Sequence, residues 1–159
     1  MTTLIGVRLT DTYTAAALAT RGFTAGIVTE MQDGKQYKLV KFNNGVGNVA
    51  AVVGNFAYYY AVSGTSAGQI TEVTMDLTDT AGIGAGVFQS IPADGEFCWL
   101  QITGPATLTT ALTAGADGNA LTPTGSSDGT LDVSGAVTDS ICAYAIDASV
   151  PIVMLACPR

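Results

Sequence analysis

Four Asp-Gly dipeptides, Asp33-Gly34, Asp94-Gly95, Asp117-Gly118 and Asp128-Gly129, punctuate the sequence, and each stands immediately before a strand-length run. Aspartate tolerates a left-handed backbone and bonds to neighbouring amides, while glycine takes positive φ without steric cost, so the pair is turn chemistry. Hairpins are therefore expected at all four. The runs include KQYKLVKF at 35–42, QITEVTMDL at 69–77, GVFQSI at 86–91, EFCWLQI at 96–102, and then GTLDVSG, DSICAYAI and VPIVMLAC. Together they predict an all-β chain of about eight to eleven short strands, an antiparallel β-sandwich or barrel. A single β domain is expected over 27–159, preceded by an extended N-terminal arm over 1–26. Within that arm TAAALATRG has the makings of one or two helical turns ended by Gly22.

Side-chain alternation assigns faces. In ITEVTMDL, Ile70, Glu72, Thr74 and Asp76 fall on one side and Thr71, Val73, Met75 and Leu77 on the other, which predicts a half-buried strand with its acidic face outward. In KQYKLVKF, Tyr37, Leu39 and Lys41 oppose Lys38, Val40 and Phe42. VPIVMLAC is almost continuously apolar, so it reads as a central strand covered on both faces with Pro151 at its start. NVAAVVGNFAYYYAV at 48–62 reads as one or two strands bent at Gly54, and GIGAG at 82–86 as a flexible loop. The tyrosine run Tyr58, Tyr59 and Tyr60 either presents a ring to an interface, or packs two rings in the core while the third covers a neighbouring strand.

Composition narrows the functional classes. Hydrophobic residues make up 48% of the 159-residue chain but aromatics only 8%, so the apolar content is small and β-branched. Charged residues are only 12%, about half the usual share, which leaves little repulsion to hold this surface away from other proteins. A net charge of −7 argues against nucleic acid as a partner, because phosphate binding needs clustered Lys and Arg. Arg8, Arg21, Lys35, Lys38 and Lys41 precede a stretch with no basic residue before Arg159. Opposite potentials of this kind suit head-to-tail or shell-directed docking, with ordinary scatter of six charges as the alternative.

The chain has no histidine, which removes the Ser-His-Asp triad, the Cys-His pair and His-containing zinc sites together. Cys98, Cys142 and Cys157 sit among apolar residues without C-x-x-C spacing and read as buried free thiols. Asp94 and Glu96 read as a solvated turn rim and not as a catalytic carboxylate pair. No glutamate follows Glu96, so the Asp117 region does not form an EF-hand; Asp117, Asn119 and Asp128 are better explained as turn residues than as calcium ligands. No catalytic, cofactor-binding or metal-ligating residue is therefore assigned. The start MTTLIGVRLT lacks a charged n-region with an apolar core, and AAALA is too short to cross a bilayer, so neither signal peptide nor membrane anchor is expected.

Two phrases carry a family resemblance. EMQDGKQYKLVKFNNGVGNVAAVVGNF resembles an opening of small head-associated structural proteins of tailed bacteriophages. ALTAGADGNALTPTGSSDGTLDVSGAVTDSICAYAIDASVPIVMLACPR is similar to the ends of phage capsid decoration proteins, also called head cement proteins. The resemblance implies a virion structural protein that binds the major capsid protein on the capsid exterior, assembles in the host cytoplasm and self-associates as a homotrimer. It also implies an arm that engages the shell, with Leu4, Ile5, Val7, Arg8 and Tyr13 as candidate contacts beside Tyr58, Tyr59 and Tyr60. Other phage head or tail structural roles share this pattern. A carbohydrate-binding or adhesin-like β domain is the competing reading, with Trp99 and the three tyrosines as a stacking platform.

Overall fold

A computed structural model of the chain describes residues 7–61 and 70–159, apart from the side chain of Ala81. Among them are one helix, α1 (Ala15–Arg21), and eleven strands. In order these are β1 (Val28–Glu30), β2 (Gln36–Phe42), β3 (Phe56–Tyr60), β4 (Glu72–Thr74), β5 (Thr80–Phe88), β6 (Phe97–Gln101), β7 (Thr103–Thr107), β8 (Ala120–Thr122), β9 (Asp132–Val133), β10 (Ala143–Asp147) and β11 (Ile152–Ala156). The chain is all-β, as its turn rhythm predicts.

The first six strands form a sheet ordered β1-β2-β4-β3-β5-β6, and β6 pairs back onto β2 to close a five-stranded barrel. β1 and β4 share one edge of β2: Val28 faces Lys38 near its start, and Glu72 faces Lys41 near its end in the barrel's parallel pairing. The last five strands make an antiparallel sheet ordered β7-β11-β10-β8-β9. Ile102 joins β6 of the barrel directly to β7 of this second sheet. Its N–H donates to Gln36 O at 2.8 Å, and its carbonyl accepts from Cys157 N at 3.0 Å. One core fills the space between the two sheets, including Phe56, Tyr58, Val87, Leu121, Cys142 and Val153. The sheets approach so closely at β5 that a Cβ on Gly84 would stand 2.6 Å from Cys142 Sγ.

All four Asp-Gly pairs place their glycine at positive φ: 76° at Gly34, 78° at Gly95, 83° at Gly118 and 73° at Gly129. Each is followed within a few residues by a strand, namely β2, β6, β8 and β9. Three of the turns join antiparallel neighbours. Asp117-Gly118 does not, because it leads from β7 to β8 and these strands lie apart in the sheet; its aspartate accepts from Ala148 N at 2.9 Å and so ties the turn to the β10–β11 connection.

Several local expectations change. The first segment is not an extended arm over its described part: Thr14 caps α1, Gly22 ends it at φ 69°, and Tyr13 exchanges backbone hydrogen bonds with Phe97. Tyr13 and Leu18 close a second core over the outer face of β2 and β6, where Tyr37, Leu39 and Trp99 would otherwise meet water. The acidic side of ITEVTMDL is buried because the loop after β2 folds across it. Glu72 accepts from Asn43 Nδ2 at 2.8 Å and lies 3.8 Å from Lys41 Nζ, while Asp76 caps a 3₁₀ turn at Leu77–Asp79 and accepts from Gly47 N. GIGAG lies inside β5, where register shifts against β3 absorb its irregular glycines. Before Gly54 the 48–62 run is not extended, and only β3 follows it. β11 is central in its sheet, yet Met154 on its outer face is 42% exposed.

The buried tyrosines give a direct test of how hydrogen bonding is distributed. Tyr58 Oη donates to Thr130 O at 2.5 Å, whereas the buried Tyr13 hydroxyl has no partner among the described residues. Tyr58→Phe should therefore lower stability by about 1 kcal/mol in urea unfolding, while Tyr13→Phe should leave it unchanged or raise it. An equal loss from both would contradict this assignment.

Candidate functional site

The residues singled out from the sequence end up in different places. Leu4 and Ile5 lie outside the described residues; Val7 is half-buried and Arg8 is exposed. Tyr13, Tyr58 and Tyr59 are buried, and Tyr60 is half-exposed at the end of β3. The tyrosine run thus follows its packing alternative, with Tyr58 in the inter-sheet core and Tyr59 inside the barrel. Arg21 lies 5.1 Å from the Tyr13 ring centroid, so one of the early basic residues stabilises the N-terminal cap. Trp99 is fully buried and cannot serve as a stacking platform.

The turn carboxylates are occupied by the chain's own amides. Asp94 accepts from Asn44 N and Glu96 from Ala93 N; Asp128 accepts from Leu77 N, and Asn119 from Ala116 N. Among the described residues no three His, Cys, Asp or Glu side chains converge as a metal-binding group. Cys98, Cys142 and Cys157 are free and buried. Burial chiefly raises the Cys98 thiol, and the contact with Cys157 followed by burial raises Cys142, so neither favours a thiolate.

The unusual ionisable group lies inside the barrel. Lys38, 1% exposed, reaches from β2 to β3, where Nζ donates to Tyr59 Oη at 2.8 Å and lies 4.9 Å from the ring centroid. Tyr59 Oη donates in turn to Pro158 O at 3.2 Å. Burial pulls the Lys38 ammonium below its ordinary range and pushes the Tyr59 phenol up. The cation thus rests on a phenol that is itself held by a carbonyl. It joins barrel strands β2 and β3 to the chain after β11.

The surface that chemistry leaves unexplained is the outer face of the second sheet. Pairing sets Pro105 opposite Met154, Met154 opposite Tyr144, and Tyr144 opposite Ala120, forming a row across β7, β11, β10 and β8. Tyr144 is 47% exposed and Ile146 44%. Thr107 stands opposite Ile152 and Thr103 opposite Ala156, so the flanking positions are also uncharged. Asp147 at the end of β10 turns its carboxylate to the Ser149 hydroxyl and to the Ser149 and Val150 amides, which hold it below the usual carboxylate range. Such a face, with no formal charge in its central row on a chain of net charge −7, suits contact with another protein. Sequence reading missed it because VPIVMLAC is too apolar to reveal which side faces solvent. The alternation of AYAI was the available signal.

No protein-family profile matches the chain, and no curated protein or solved structure is significantly similar to it.

The Lys38 environment predicts a pH-dependent mutant effect. Its folded pKa lies below the unfolded value, so the unfolded chain binds more protons between the two and the lysine's destabilising contribution fades as pH rises through that window. Lys38→Met should equal or exceed the wild type in urea stability at pH 7, and its advantage should shrink toward pH 10. Tyr37, pushed up to about 12 chiefly by burial, acts oppositely in both proteins, lowering stability above pH 10. A Lys38→Met protein much less stable than wild type at pH 7 would show that the ammonium is net stabilising.

Proposed function

We propose that the protein is a virion structural protein that decorates the outside of a bacteriophage capsid, binding the major capsid protein and further copies of itself, with no catalytic role and no cofactor. The observation that carries this reading is the uncharged apolar row of Pro105, Met154 and Tyr144 on the solvent side of the second sheet. The opposite side of these strands belongs to the core, and the row itself leaves Tyr144 and Met154 about half exposed. Burial against a shell would remove it from water. The resemblance of both phrases to capsid decoration proteins supports the same role, and a homotrimer at threefold positions is the arrangement that resemblance implies. Arg8 is exposed and Tyr60 half-exposed elsewhere on the subunit.

A shell-binding surface of this kind is sensitive to a charge that finds no partner. Met154→Asp and Tyr144→Asp should each weaken association with capsids lacking the protein by about 100-fold or more, because a carboxylate would be desolvated at the contact. Both side chains are exposed in the subunit, so circular dichroism and urea unfolding should stay close to wild type. Co-sedimentation with stripped capsids reads the result. Undiminished binding by both variants, or no binding by the wild type, would reject the proposal.

A further inference from the structure

A groove of about 440 Å³ opens beside β7, between that edge of the second sheet and the barrel. Val53, Pro105 and Ile152 contribute the accessible apolar surface over a floor of Val87 and Phe88, Gln89 and Gln101 contribute amides, and Lys35 contributes a cation. The Lys35 stem lies over Gly104, where a Cβ would meet Lys35 Cγ at 3.1 Å. Among the described residues no carboxylate is within ion-pair distance of its ammonium.

At the far side of the same sheet, β9 leads into a turn that carries the most exposed large apolar side chain described, Val137 at 106%. The turn is held from within: Asp139 Oδ2 accepts from Ser134 Oγ at 3.2 Å and from Gly135 N and Ala136 N at 2.9 Å each. Asp139 and Asp132 make this end of the sheet acidic. The chain therefore bears an apolar projection with acidic neighbours on one side of a sheet and, on the other, a groove of mixed polar and apolar lining whose cation has no carboxylate partner among the described residues.

We propose that the Val137 turn of one copy seats in the Lys35 groove of the next. Charge favours a second copy as the occupant. The groove's cation meets the aspartates flanking the turn, which pairs opposite charges across the contact. Because projection and groove are different surfaces, the contact is head-to-tail. It generates a closed ring where the rotation allows and an open row where it does not. The inference deepens the coat-protein reading and rests on it for its purpose, yet its test needs no capsid.

Sedimentation velocity of the full chain over a concentration series reads the association directly. Wild type should grow into species larger than a dimer. Lys35→Glu and Val137→Glu, with normal circular dichroism, should each associate at least tenfold more weakly. A mixture of the two variants discriminates further: Lys35→Glu keeps an intact turn and Val137→Glu an intact groove, so the mixture should form heterodimers and stop there. A wild type that stays monomeric, variants that associate as wild type does, or a mixture that stays monomeric would each overturn the proposal. Self-association without capsid binding would instead sink the coat reading and leave this contact standing.

Discussion

Ile102 is the residue on which both sheets depend. Its amide bonds into the barrel and its carbonyl into the second sheet, while its side chain is fully buried between them. A strand that crosses from one sheet to the other without a loop has no freedom to let them hinge. The single core, the close approach at Gly84 and the central place of β11 all follow from that rigid crossing. The sheets behave as one body because one short stretch of backbone belongs to both.

The strand positions could be read from turn chemistry, and the faces could not. Asp-Gly supplies positive φ locally, so the starts of β2, β6, β8 and β9 needed no tertiary information. The face of ITEVTMDL was misjudged because alternation reports polarity and not solvent. Glu72 and Asp76 are covered by the loop after β2, whose amides and Asn43 side chain satisfy them. GIGAG looks like a loop by composition, yet its glycines permit the close packing of β5 against the second sheet. Long-range packing decides each of these positions, and no local pattern encodes it.

The candidate surface was harder to find than the fold. Aromatic residues drew attention to Tyr58, Tyr59 and Trp99, but large rings are also what a core of small side chains needs to fill its volume. The exposed row joins Tyr144 and Met154, on the consecutive strands β10 and β11, to Pro105, which comes from a distant part of the chain and becomes their neighbour only through strand order. The N-terminal segment has a similar history. Its Thr and Ala content suggested looseness, while Tyr13 and Leu18 are what shields Trp99 from water.

The edge of β7 has a further consequence. Gln101 Nε2 donates to Thr103 O at 3.1 Å and to Pro105 O at 2.9 Å, and Pro105 has no amide to offer. At the other boundary of the sheet β9 is two residues long, and β1 beside the barrel is three. A protein crowded at high local density is exposed to runaway strand addition wherever an open edge remains. Among the described residues these edges offer almost no main-chain template for strand addition, so any recognition at them falls to side chains.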